Sequence, residues 1–299
     1  MRLHSFLLVF SICSFAHAQT PGSATMGGVL DGAFVPRSNR TKQLLPYPPL
    51  DESHVLYVKR IEREIPLYEK LNHPLFFPLE EIADRQSLLQ LIQSTLKDGS
   101  SVVSAYRTSE FKAESRIPRD SAKFLITEYE YDREPLDEEE AKYEQETGDT
   151  IQMRLKATYA NSDVIAFRIK EDWIFDKHRS QWYCRIIGVA PVMTYNTYSR
   201  EKQKEIQVKT PAFWLYFPEW RHVFQHGYAS AGTFNPYNDT GRPTFLELFE
   251  DRRFSSYIIK ESNVYDRSIS SYAQGEDALL ESERIKNELF TLEHDLWHY

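Results

Sequence analysis

From His54 the chain alternates, with Val55, Tyr57 and Lys59 on one side and Leu56, Val58 and Arg60 on the other; Ile61 and Ile65 carry the pattern on to Pro66. A period of two predicts a strand with both faces partly covered. Between Arg85 and Lys97 the period changes: Leu88, Leu89, Leu91, Ile92 and Leu96 stand at helical spacing, and Asp98-Gly99 ends the helix. Ser101 to Tyr106 returns to a strand pattern, while Phe124, Ile126 and Tyr129 in Arg119 to Asp132 fit either period. The clearest hairpin follows. Asp163 to Phe175 is dense in Val, Ile, Phe and Trp, Asp176 to Ser180 is a polar connection, and Gln181 to Thr194 is the return strand. Gly188 and Pro191 are expected to bend or end that strand. Phe213 to Phe217 predicts a short aromatic strand stopped by Pro218, and Thr244 to Phe249 a helix with Thr244 or Pro243 near its start. Phe254 to Lys260 reads as a strand or a continued helix. Ala278 to His298 predicts a last helix with Leu279, Leu280, Ile285, Leu289, Leu292 and Leu296 roughly on one face.

This order of elements predicts an α+β fold, with mixed or antiparallel sheets, packed helices, an extended N-terminal arm and a C-terminal helix. The division expected is a leader over 1–18, a Pro-rich arm over 19–50, a first α+β unit over 51–133, an acidic insertion or linker over 134–160, a second unit over 161–267 and a helical segment over 268–299. The two units run alike. Leu75-Phe76-Phe77-Pro78, a helix and a strand in the first answer to Leu215-Tyr216-Phe217-Pro218, a helix and a strand in the second. Either the core is built of two pseudo-repeated units or short aromatic strings coincide by chance.

Composition adds a compartment. Met1 to His4 is a short basic stretch, Ser5 to Phe15 is mostly apolar, and Ala16-His17-Ala18 has the small-x-small form of a cleavage site, so a signal peptide cut between Ala18 and Gln19 is expected. The apolar run is far shorter than the roughly 20 residues that span a bilayer. No later segment is apolar enough to span, so an exported, soluble protein is expected. The formal charge of -8, moved further negative by loss of Arg2 with the leader, argues against nucleic acid as a partner. Past the leader Cys184 stands alone, which leaves no intramolecular disulfide and makes buried packing its expected role.

Catalytic chemistry finds little support. The chain has no G-x-S-x-G, no phosphate-binding G-x-x-x-x-G-K-[ST] and no G-x-G-x-x-G. His222 and His226, and likewise His294 and His298, stand four apart, the spacing that puts two imidazoles on one helix face. A zinc-protease helix needs Glu directly after the first His, and Val223 and Asp295 stand there instead. Surface histidines are the expected reading, with no metal, no cofactor and no enzymatic activity. The carboxylate run from Asp137 to Glu146 lacks the calcium-loop pattern and reads as a solvated acidic stretch. Proline and aromatic residues offer a better hold for partners, because Pro restricts a segment before it binds and Tyr and Trp are enriched at interface hot spots. The candidate contact residues are Pro46, Tyr47, Pro48, Pro49, Tyr57, Trp214 and Trp220.

Four ordered blocks carry a family resemblance. The first joins Leu45-Pro46-Tyr47-Pro48-Pro49-Leu50 to Val55 through Ile61 and to Glu69-Lys70-Leu71-Asn72-His73-Pro74-Leu75. The second is the hairpin Ile169 to Lys177 with Arg185 to Pro191. The third is Phe213 to Glu219 with Arg221, and the fourth is Phe254 to Ile258 with Lys260 to Arg267. On these residues the chain, from about Gly28 to Arg267, resembles the GldN/PorN family of the Bacteroidetes gliding and type IX secretion machinery; it departs from the family pattern at Tyr57-Val58, Glu62 and Trp220. The resemblance implies a scaffold without catalytic residues. Such proteins assemble with a GldK/PorK-like outer-membrane lipoprotein into a periplasmic ring close to a GldL/GldM-like motor, and the arm is expected to strap onto a neighbouring subunit or the lipoprotein. Two other classes stay open on the residues alone, a secreted metal-dependent hydrolase and a periplasmic ligand-binding protein.

Overall fold

Asp51 turns the chain into its first strand. Its carboxylate accepts from the Ser53 N–H at 2.8 Å and caps a single 3-10 turn, Glu52–His54. Strand β1 (Val55–Pro66) follows, and period-two alternation buries Ile61, Arg63 and Ile65 on one face while Arg60, Glu62 and Glu64 point to the other. A short helix α1 (His73–Phe76) leads to α2 (Leu88–Asp98). Ser87 and Gln90 cap α2 reciprocally, since the Ser87 N–H donates to Gln90 Oε1 at 2.8 Å and the Gln90 N–H to Ser87 Oγ at 3.3 Å. Next come β2 (Ala105–Tyr106) and a separate two-stranded ribbon of β3 (Tyr129–Asp132) and β4 (Arg154–Ala157). The long hairpin is β5 (Val164–Asp176) and β6 (Gln181–Ser199), followed by β7 (Lys204–Pro211) and β8 (Trp214–Tyr216). Then stand α3 (Phe217–His226), α4 (Phe245–Glu250), β9 (Tyr257–Glu261) and α5 (Glu276–Asp295). The structure, a computed structural model, describes residues 43–80, 82, 85–98, 103–118, 129–132, 154–157, 163–199, 204–226, 233 and 243–295.

One antiparallel sheet of seven strands organises these elements, in the order β2-β8-β6-β5-β1-β9 with β7 also paired to β6. The fold is α+β. Strands from residues 51–133 and 161–267 share this one sheet, and β1 lies between β5 and β9. On the face that carries Ile65 the main core packs Phe167, Ile169, Val189 and Leu215 against the apolar stripes of α2, α3 and α4. A second cluster joins Ile61 and Ile258 to Ile285 and Leu289 of α5, and the Ile258 N–H donates to Ser282 Oγ at 2.7 Å. Among the described residues no helix is long and apolar enough to cross a membrane.

Several local expectations change. β6 does not end at Gly188 or Pro191 but runs on to Ser199. The irregularity is absorbed as a bulge on β6, where Gly188 and Ile186 pair with the consecutive Lys170 and Glu171 of β5 and Ile187 is the extra residue, and the Pro191 carbonyl, on a residue with no N–H to give, still accepts the Ala212 N–H at 2.9 Å. Gly188 is there for space: a Cβ would fall 2.4 Å from Phe111 Cζ and 3.2 Å from Trp214 Cε3. Gly188→Ala therefore displaces the Phe111 ring, and an equilibrium urea melt should show a loss of about 1–3 kcal/mol.

The short aromatic strand β8 ends at Tyr216, and Pro218 belongs to the next element. It lies in the first turn of α3, where a missing N–H costs nothing, whereas Leu75 and Phe76 of the supposed counterpart belong to a short helix. In α5 the inward stripe is Ala278, Ser282, Ile285 and Leu289; Leu279 and Leu280, one and two positions off it, are exposed. The cleavage site Ala18–Gln19, the acidic run 134–150, Leu296 and His298 lie outside the described residues.

Candidate functional site: an arm seat beside a buried charge network

The chain reaches its first strand along the outside of its own body. Residues 43–50 form neither helix nor strand, yet they are held at several points. Leu44 packs against the main core. Arg221 Nη2 donates to the Leu45 carbonyl at 2.8 Å, Arg185 Nη2 to the Pro48 carbonyl at 2.5 Å and Arg179 Nη1 to the Pro49 carbonyl at 3.0 Å. The centre of the Tyr47 ring lies 3.7 Å from the Arg221 guanidinium and 5.2 Å from that of Arg185, a cation–π arrangement with two arginines. Burial pushes the Tyr47 hydroxyl up to about 12 against the opposing pull of Arg221. Arg221 is itself fixed by Glu250, its Nη2 lying 2.9 Å from Oε1.

Proline explains this mode of binding. A segment with three prolines in four residues offers few N–H groups, so it cannot extend a sheet by a ladder, and its carbonyls remain the groups to be satisfied. Arginine forks from the β5–β6 turn, β6 and α3 meet them. The outward sides of Leu45, Pro46, Pro48 and Pro49 stay exposed.

A second cluster lies on the helix-covered face of the sheet. Glu171 of β5 is fully buried and ion-paired to two arginines: Arg63 of β1 donates to Oε1, and Arg252 Nη1 lies 2.7 Å from Oε2. Trp173 Nε1 also donates to Oε1, at 3.0 Å. Burial alone would raise the Glu171 carboxyl, but Arg63 and Arg252 outweigh it and hold it down at about 2.

Arg252 reaches this place at a cost. It follows α4 with φ 54°, the left-handed position usually given to glycine. Its N–H donates to Phe249 O and that of Arg253 to Leu248 O, which closes the helix. The guanidinium so aimed also lies 2.9 Å from Cys184 Sγ. Cys184 is accordingly not an apolar filler. Its thiol donates to Glu171 Oε2 at 3.4 Å, and burial, then the Glu171 charge, push it far up, which keeps it protonated and unreactive.

The opposite face of the sheet carries a groove of about 240 Å³ lined by charged side chains, among them Arg60, Glu62, Lys170, Lys260 and Asp266. Its charges are largely paired. Arg60 binds Asp172 through two hydrogen bonds of 2.6 and 2.7 Å, and Lys260 binds Asp266 at 2.7 Å. Lys170, whose ammonium is lowered by burial, donates to the Ser109 carbonyl at 2.7 Å.

The seven candidate contact residues separate. Pro46, Pro48 and Pro49 are exposed, and Tyr47 and Tyr57 are half-buried, Tyr57 against the Trp182 ring at 5.6 Å. Trp214 and Trp220 are core residues and offer no surface. Trp214 packs with Tyr106 and Ala190, and Trp220, fully buried, donates its indole N–H to the Ser104 carbonyl at 3.1 Å. His222 and His226 stand exposed on α3, and the described residues hold no cluster of three metal-ligating side chains.

Sequence reasoning missed the arginines of the seat and of the network. Each is one charge in an ordinary stretch, and its partner lies far along the chain. One signal was available, since Glu171 continues the inward alternation of Phe167 and Ile169 with a carboxylate.

The family model for gliding motility associated protein GldN matches residues 50–298, which takes in nearly all of the described body. The chain belongs to the GldN family. No curated protein matches it. The family assignment makes it a gliding motility associated protein. The matched span begins at Leu50, so the GldN body includes the arginines of the seat, while Leu45 to Pro49 precede it.

Proposed function

We propose that this GldN-family protein is a structural subunit of a periplasmic ring of the type IX protein secretion system. It joins a GldK/PorK-like outer-membrane lipoprotein and further copies of itself, close to a GldL/GldM-like motor, and supports protein secretion and gliding without catalysis of its own. The observation that carries this reading is the GldN match along the body of the chain. The character of the fold supports it. Its best-satisfied polar groups, Glu171 with Arg63 and Arg252, are locked in internal ion pairs rather than poised for proton transfer, and its arm rests on surface arginines. Many copies in heterologous contact close a ring when the rotation between neighbours divides a full turn.

The test is affinity capture of the tagged protein from native envelopes under mild detergent, followed by electron microscopy and mass spectrometry. Ring particles containing the lipoprotein are the expected result. A monomer recovered without any lipoprotein overturns the reading.

A further inference from the structure

We infer that a second copy of this chain docks on the apolar surface displayed by Tyr68, Leu71, Phe77 and Leu79, through the loop that carries its Val264 and Tyr265. The contact is head to tail. It rests on the proposed self-association for its setting and names the two surfaces that meet.

The loop holds two apolar side chains out in water. Val264 is 97% exposed and Tyr265 78% exposed, yet the backbone that carries them is closed on one side-chain amide. Asn263 Nδ2 donates to the carbonyls of Glu261 at 3.0 Å and Arg267 at 2.8 Å, and its Oδ1 accepts the N–H groups of Tyr265 and Arg267, both at 3.1 Å. Asp266 takes a left-handed φ of 50° and is tied to Lys260 at 2.7 Å. The exposed Arg267 guanidinium lies 5.1 Å from the centre of the Tyr265 ring and 4.7 Å from that of Tyr272. Among the described residues no carboxylate pairs with it. A loop so fixed loses little freedom on binding, and Tyr and Arg are enriched among the residues that dominate interfaces.

The surface that suits this loop lies at the other end of the same strands. β9 delivers the loop beside Arg60, whose carbonyl accepts the Ser262 N–H at 2.8 Å. The chain leaves β1 at Pro66, and Asn72 joins the apolar surface to the approach of β9 by accepting the Ser255 N–H at 2.9 Å. From Arg60 to Pro66 an extended strand covers about 20 Å. Loop and surface of one copy are thus held apart, and a copy shifted along the strand direction brings one to the other. Tyr68, Leu71, Phe77 and Leu79 are all exposed within one short stretch, more than the single apolar residues scattered over an ordinary surface. The stretch is well held, with Phe77 edge-on to the Phe76 and His73 rings at 5.0 and 5.3 Å and the Leu79 carbonyl on Gln90 Nε2 at 2.9 Å. Charge agrees. Glu69 and Glu80 stand there against Lys70, and among the described residues neither carboxylate has a cation, whereas the loop brings the unpaired Arg267. Contact between two different surfaces is heterologous and passes from copy to copy, while a two-fold dimer uses one self-complementary patch.

Cross-linking of the purified mature protein with diamide, which takes one hydrogen from each of two thiols as their disulfide forms, tests this. One copy carries Val264→Cys and a tag that shifts its size; the other carries Phe77→Cys and no tag. The native Cys184 is kept protonated by burial and by Glu171, and the native chain treated alike sets the background. The mixture should give at least tenfold more mixed dimer than either copy alone gives of its own dimer. Random collision and a two-fold contact both join like with like, so equal yields overturn the inference. Absence of mixed dimer above background overturns it too. Arg267→Glu added to the first copy should lower the mixed dimer several-fold, and an unchanged yield also counts against the contact. Should Phe77→Cys fail to fold by circular dichroism, Leu71→Cys replaces it with the same outcomes. No lipoprotein is present, so the result does not depend on whether the proposed ring is correct.

Discussion

Glu171→Ala should be the most damaging single change at a polar position, lowering stability by about 3–5 kcal/mol in a urea or guanidinium melt. The carboxylate has no exposure to solvent and stands between Arg63, itself buried, and Arg252. Its removal leaves the buried Arg63 and the partly buried Arg252 without their counter-ion, with the Trp173 indole N–H also stripped of its acceptor. The cost is the desolvation of charges left without their counter-ion, and it exceeds what the intact cluster contributes over an apolar replacement. Cys184→Ala takes away only a weak thiol contact and should be several-fold milder.

The same cluster sets an acid limit. The folded Glu171 carboxyl is held at about 2, below its ordinary value of 4.5, so the folded state binds a proton less readily than the unfolded state. The contribution is fully present above about 4.5 and is lost progressively as pH falls toward 2. The stability difference between the native protein and Glu171→Gln should narrow steadily as melts run from pH 6 down to pH 3. Parallel curves would mean that the cluster does not drive the acid loss.

The sequence made the strands legible where one period ran without interruption. β1, the β5–β6 hairpin and α2 follow from alternation and from helical spacing, and Thr244 marked α4 because its hydroxyl and Glu247 form a reciprocal cap. Legibility failed where one residue serves two ends. Gly188 and Pro191 look like strand breakers, but Gly188 answers to the Phe111 ring packed over it. Arg252 looks like a surface charge after a helix, yet it accepts a left-handed backbone to reach Glu171. The arm was readable as an extended proline-rich segment because proline restricts its own backbone. Its seat was not, because Arg179, Arg185 and Arg221 come from three elements that only the fold brings together. Alternation says which residues point inward but not which inward residues meet.

Trp220→Ala tests the other side of that distinction. Tryptophan anchors interfaces and cores alike, so residue type alone makes Trp220 a candidate contact and an equally good core anchor. Here the ring is fully buried among α3, β2 and the neighbouring phenylalanines, 5.9 Å from the Phe224 ring, with its N–H on the Ser104 carbonyl. Truncation opens a cavity and orphans that carbonyl, so a loss of about 3–5 kcal/mol is expected. Trp220→Phe keeps most of the volume and should cost clearly less. The decisive comparison is between stability and association. A core role predicts that, at a temperature where the Trp220→Phe variant remains folded, its capture of partner proteins equals that of the native chain. If Trp220→Phe folds like the native chain and still loses its partners, the indole acts at an interface after all. Tyr47→Ala should show the reverse pattern, since its half-buried ring rests on the guanidiniums of Arg185 and Arg221 and its loss removes an arm contact rather than a piece of the core.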